Sequence, residues 1–295
     1  MNQPTALHIL LANLVDYAGL FPPAQLAMRP AVHHYTTYLS SDDAWALGRF
    51  IVPAARLTEF AAAYAQLPPQ TQRWQLSVLL ADVVRDVERL AEFRAAGHEP
   101  IVDTVEFKAN TPGEIRTALE HIPPVITSYV ELPLNGDLPA LVATLAEHGG
   151  RAKVRTGGIT PAAFPTPAAL LDFIQTCVRA NVPFKATAGL HHPLRAEYRL
   201  TYEPTSPTGT MYGFLNVFLA AAGLRSGWAE PDALSLLTES DPASLHWHDN
   251  GVTWRDRPIS NATLVTTRQH TAIAFGSCSF EEPLQDLRSL RWLFA

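Results

Sequence analysis

Lysine is scarce in this chain. Of 22 basic residues among 295, only Lys108, Lys153 and Lys185 are lysines, which leaves 19 arginines. A codon bias toward arginine thins lysine at random, but it does not decide where the survivors sit. The difference matters chemically. Arginine stays protonated in a protein, whereas lysine can become a neutral nucleophilic amine. Cysteine is equally rare, and Cys177 and Cys278 supply neither a disulfide framework nor a metal motif. No apolar run approaches the roughly 18–20 residues that span a bilayer. No basic stripe exists either: the net charge is −6 and the pI about 6.0, which argues against nucleic-acid or anionic-membrane partners. The opening stretch MNQPTALHILLANLVDYAGLF lacks a basic start and a small-residue cleavage site, and Asp16 interrupts it. With 47% hydrophobic and 17% charged residues, the chain has the composition of a globular protein with a sizeable core. The expectation is a cytoplasmic protein acting on a small molecule. A homo-oligomer is compatible with this composition.

What is present has a rhythm. Short apolar or alternating runs begin at residues 49 (RFIVPA), 75 (QLSVLL), 102 (VDTVEFKA), 128 (SYVELPL), 151 (RAKVRTGG) and 183 (PFKATAG). Segments of helical periodicity lie between them, several opening at Thr or Asp with proline in the first turn, and two closing at glycine. Strands alternating with helices of this length imply βαβ units and a parallel sheet. LVDYAGLF (14–21) supplies a first strand and TAIAFGSCSF (271–280) a last, for eight in all. Eight units fit a closed α/β (β/α)8 TIM barrel. The competing open sheet would often carry a G-x-G-x-x-G fingerprint, and none is found. The chain 1–295 thus reads as one barrel domain with a long insertion at about 196–268, between strands seven and eight. In it, RAEYRLTYEPTSPTG is expected to be a loop above the barrel mouth, GTMYGFLNVFLAAAGL (209–224) a helix, and LHWHDNGVTWRDRPI (245–259) a hairpin.

Strand parity sorts side chains into two faces. Apolar sets must pack under the helices, so the polar sets point into the barrel. Glu106 and Lys108, Lys153 and Arg155, and Lys185 and Thr187 then face inward, toward the strand ends where such barrels keep their active sites. Burying several ammonium groups costs several kcal/mol per unpaired ion, so the arrangement implies a use. Two lysines at similar depth on neighbouring strands repel, and with desolvation this favours a free amine. A free amine in a dry pocket forms a Schiff base with an aldehyde or ketone. Glu106 or Glu131 and the second lysine can move protons.

AKVRTGG followed, one βα unit later, by FKATAGL resembles the paired motifs of deoxyribose-phosphate aldolase and its class I relatives. The resemblance covers roughly residues 100–195 and a short piece near 276. It implies a carbon–carbon lyase that needs no cofactor, with Lys153 as the Schiff-base residue and Lys185 as its electrostatic activator. AFGSCSF is similar to the turn with which that family holds a phosphate on backbone N–H groups, here Gly276, Ser277 and Ser279. Arg155, the histidines after Gly189 and the long insertion depart from the family's pattern.

Lys108, Arg155, Thr187, Gly189, His191 and His192 complete the expected substrate-binding set. His191 and His192 lack the usual metal-ligand spacing, so no metal is assigned. Two further readings are a metal-dependent barrel using His191, His192 and glutamates, and a non-catalytic barrel that cradles an anionic metabolite on Arg155 and the lysines. Cys278 reads as a small turn residue. Asp16 lies either near the mouth or in a turn fixed by Pro22 and Pro23.

Overall fold

Each expected strand has an apolar set that needs cover, and the cover is a helix. In the computed structural model, which describes residues 5–70 and 72–294, the eight strands are β1 (Val15–Tyr17), β2 (Leu47–Pro53), β3 (Gln75–Leu79), β4 (Ile101–Lys108), β5 (Thr127–Glu131), β6 (Arg151–Arg155), β7 (Phe184–Thr187) and β8 (Ala272–Ser277). They are all parallel and close into a barrel, with β1 paired to both β2 and β8. The outward set, including Val105, Val130, Val154 and Ala186, is completely buried under the surrounding helices. The fold is therefore the (β/α)8 barrel that the sequence rhythm implies. Among the described residues no helix is long and apolar enough to cross a membrane.

The helix boundaries follow local chemistry. The side chains of Asp82, Thr111, Asp137 and Thr166 each accept a hydrogen bond from the backbone N–H three residues on. Proline occupies the first turn behind three of these caps, at 112, 139 and 167, where its missing N–H costs nothing. Gly149 and Asn181 end two helices in the left-handed conformation. One glycine bears directly on the site. Gly189, just past β7, has φ +70°, and a Cβ there would lie 2.9 Å from the Phe164 ring and 3.0 Å from Cα of Gly157. Only glycine allows the chain to turn so closely over the barrel mouth.

The insertion differs from its expected form in three respects. RAEYRLTYEPTSPTG is not an open loop: Ala196–Arg199 pairs antiparallel with Thr208–Met211. The helix expected from 209 starts at Phe214, because its first residues are drawn into that hairpin. The hairpin around Asp249–Asn250 gains a third strand, Arg257–Ser260, to make a small antiparallel sheet. Helix Phe214–Arg225 is buried on all sides from 214 to 223, so it shows no amphipathic period that would mark its start.

A single buried amide holds these pieces together. Asn216 is completely buried. Its Nδ2 donates to the carbonyls of Leu236 (2.8 Å) and Glu239 (2.9 Å), and its Oδ1 accepts from the backbone N–H of Arg195 (2.8 Å). Removing this side chain strands two carbonyls and one N–H in the interior, each costly without a partner. Asn216→Ala is expected to lower the unfolding free energy by about 2–4 kcal/mol in urea titration, with an unchanged m-value.

Candidate active site

β6 and β7 run in parallel register, with Lys153 opposite Lys185, and β5 sets Glu131 opposite Lys153. The register brings charged side chains to one level inside the barrel. Lys185 is fully buried and donates to Oδ2 of Asp16 and Oε1 of Glu106, both at 2.6 Å. Lys153 lies 2.8 Å from Oε2 of Glu106 and 3.0 Å from Oε2 of Glu131. One carboxylate, that of Glu106, thus bridges both ammonium groups through its two oxygens. The Ser77 hydroxyl donates to the Oε1 that Lys185 uses, at 2.6 Å. The Lys185 ammonium also lies 5.4 Å from the Tyr129 ring centroid, within cation–π range.

Asp16 is fixed from its other side. Its Oδ1 accepts from the backbone N–H of Arg49 at 2.7 Å. The approach is possible because residue 48 is glycine: a Cβ there would sit 2.3 Å from that oxygen.

These contacts decide the protonation states. Burial alone would disfavour the Glu106 carboxylate, but the adjacent ammonium groups of Lys153 and Lys185 overcome it and hold its pKa well below the carboxylate range. Glu131 is also lowered; burial again opposes, and Lys153, Lys108 and Arg155 prevail. Lys185 moves the other way. Burial would discharge it, yet Asp16 and Glu106 raise its pKa above the usual lysine range. The expected lysine–lysine repulsion is therefore answered by carboxylates placed between the cations. Asp16 and Glu106 thus favour the ammonium form of Lys185.

The third lysine does not join them. Lys108 ends β4 with its side chain 72% exposed, at 3.3 Å from Oε1 of Glu131. It stands on the rim rather than inside the barrel, because it is the last residue of its strand. Arg155 is likewise exposed at the end of β6. Both line a cavity of about 730 Å³ at the C-terminal ends of the strands. Lys153, Glu106, Glu131, Thr187, Gly189, His191 and Gly276 also line it, whereas Lys185 and Asp16 do not. Most of the remaining wall is apolar and includes Phe21, Ile51, Leu79, Phe107 and Ile159. Leu200 and Met211 of the inserted hairpin cover one side.

The two histidines part company. His191 is buried, and its Nδ1 approaches Oε2 of Glu282 (3.3 Å), the Ser277 hydroxyl (3.4 Å) and the Cys278 sulfur (3.9 Å). Burial would discharge the ring, but Cys278 and Glu282 raise its pKa to about 9. His192 stays outside the cavity, 2.6 Å from Asp286 and stacked on Tyr198 at 3.5 Å between centroids. The pair does not converge on one point. Among the described residues no three His, Cys, Asp or Glu side chains are grouped to hold a metal ion.

The expected phosphate turn is also occupied differently. The Ser277 side chain is buried, where its hydroxyl meets His191 and accepts from the Ser279 N–H. Ser279 Oγ accepts from the N–H of Glu282, capping the last helix. That helix, Glu281–Ser289, opens with two glutamates, so its positive end already meets acidic side chains.

Compared with protein-family models and with curated proteins, the chain matches none.

Asp16 and Ser77 are the site residues that sequence reasoning placed least well. Asp16 was one of two readings of a Pro-rich stretch, and β1 is only three residues long, too short for its parity to be read. Ser77 carried no signal beyond lying two residues before Leu79 on β3.

The protonation states fix a pH dependence. The lowered Glu106 contributes stability that is fully present above the unfolded carboxylate value, near pH 4.3, and is lost as pH falls through its native value. The raised Lys185 contributes stability fully present below about pH 10.4 and lost as pH rises through its native value. Glu106→Gln leaves two buried cations short of a counter-charge. It is expected to cost about 3–5 kcal/mol at pH 7, and to flatten the fall in stability below about pH 4, measured by urea unfolding at a series of pH values.

Proposed function

We propose that the protein is a Schiff-base-forming lyase of the class I aldolase type. The observation that carries this reading is the unequal placement of two bridged lysines: Lys153 opens onto the cavity, whereas Lys185 is sealed beneath it. Lys153 is the nucleophile. Its amine adds to the carbonyl carbon of an aldehyde or ketone, the carbonyl oxygen leaves as water, and the resulting iminium ion draws electrons from the adjacent carbon–carbon bond. Lys185 acts as a fixed positive charge beneath the site, tied to Lys153 through the shared carboxylate of Glu106.

Glu131 is the proton carrier in this scheme. It touches Lys153, lines the cavity and reaches the rim through Lys108. Glu106 has both oxygens occupied by cations and a hydroxyl, so it orients the lysines and stays charged. The apolar wall suits a carbonyl compound with a hydrocarbon body. Lys108 and Arg155 on the rim can meet an anionic end, and a phosphate at the β8 turn has no part in this reading.

Incubation with a panel of aldehydes and ketones followed by borohydride reduction tests it. The expected result is a covalent adduct mapped to Lys153, absent from Lys153→Ala and formed at least about 100-fold more slowly in Glu131→Gln. No adduct with any carbonyl compound would overturn the reading, and anion binding without an adduct would favour a binding barrel.

A further inference from the structure

The cavity has a second group of reactive character, on a wall formed by the β8 turn. Cys278 lines the cavity and is 5% exposed. Its sulfur lies 3.9 Å from Nδ1 of His191 and 3.5 Å from the Tyr202 hydroxyl. Glu282 meets the same two atoms, 3.3 Å from His191 Nδ1 and 3.4 Å from the Tyr202 hydroxyl. Three segments far apart in sequence thus converge on one sulfur: the loop after β7, the tip of the inserted hairpin, and the β8 turn with its helix.

We propose that Cys278, paired with His191, is a second nucleophile of the barrel that adds reversibly to aldehydes in the cavity. The sulfur forms a bond to the carbonyl carbon as a thiolate, and the C=O π pair moves onto oxygen. The His191 imidazolium supplies the proton to that oxygen, giving a neutral hemithioacetal. The reverse path returns the same proton and electron pair, and no oxidant is consumed. Glu282 serves as the anion that keeps His191 protonated, while the Tyr202 hydroxyl has one proton to share between Glu282 and the sulfur. The remaining titratable groups around it are Tyr17 on β1, Tyr38 on the helix Met28–Leu39 and Glu281. Burial opposes ionisation of the thiol, but His191 and Tyr202 outweigh it and lower its pKa, while His191 is raised to about 9. Both shifts favour a thiolate–imidazolium pair over the neutral thiol and imidazole.

The chain contains its own control. Cys177 is the only other cysteine; it is fully buried, and burial pushes its thiol up. Alkylation of the native protein by iodoacetamide, mapped by mass spectrometry, should modify Cys278 far faster than Cys177. The rate should rise at a lower pH than that of an ordinary thiol, which rises through about pH 8.5. His191→Gln should lower the Cys278 rate at pH 6.5 by about tenfold or more, the equivalent of a one-unit rise in its pKa. Butanal should protect Cys278 in the Lys153→Ala protein, which cannot form the imine, and dialysis should restore its reactivity. A native profile that rises like a free thiol, or a Cys278 as slow as Cys177, overturns the pairing. Reactive Cys278 that butanal does not protect overturns the addition. An imine at Lys153 in the wild-type protein, with no protection of Cys278 in Lys153→Ala, sinks this proposal and leaves the lyase reading standing.

Discussion

The site depends on one carboxylate shared between two ammonium ions. Glu106 gives one oxygen to Lys153 and the other to Lys185, and each lysine has one further carboxylate, Glu131 or Asp16. Isolated ions in a protein interior cost several kcal/mol each. Here Asp16, Glu106 and Glu131 interleave with the two lysines, so the charges nearly cancel within the barrel. The three carboxylates come from β1, β4 and β5 and the lysines from β6 and β7, which makes the arrangement a property of the closed barrel rather than of any one βα unit.

The same arrangement separates two roles that the lysines cannot share. Lys185 has two carboxylate partners and no cavity surface, which fixes it as a charge. Lys153 has two carboxylate partners and does face the cavity, the placement that the proposed carbonyl chemistry requires. Electrostatic preorganisation of this kind requires a rigid support. Ser77 and the close approach of Asp16 over Gly48 provide it: Ser77 holds the Glu106 oxygen that Lys185 also uses, and the Arg49 N–H holds the Asp16 oxygen that Lys185 does not.

Much of this was legible in the sequence because the barrel is periodic. Alternating runs at even spacing gave the strand count, and parity placed Glu106, Lys153 and Lys185 on the inner face. Lys108 obeys the same parity yet points into solvent, since parity gives the face of a strand and not its depth. Asp16 escaped a firm assignment because a three-residue strand has no pattern to read. The surroundings of the β8 turn and of the paired histidines were not legible for another reason. What those residues do is set by Glu281, Glu282 and Asp286, whose positions come from the last helix and not from local spacing. Cys278 shows this most sharply: its histidine partner is 87 residues away in the chain and 3.9 Å away in space.

With only three lysines, the protonation of Lys153 and Lys185 can be read directly by NMR of lysine ¹⁵Nζ, each signal assigned by single Lys→Arg replacement. The Lys185 resonance should keep its ammonium position from about pH 5 to beyond pH 10.4, the ordinary lysine value. A bound carbonyl compound should shift the Lys153 signal strongly and leave the Lys185 nitrogen protonated. A Lys185 that is neutral near pH 7, or that itself takes the carbonyl compound, would contradict the account.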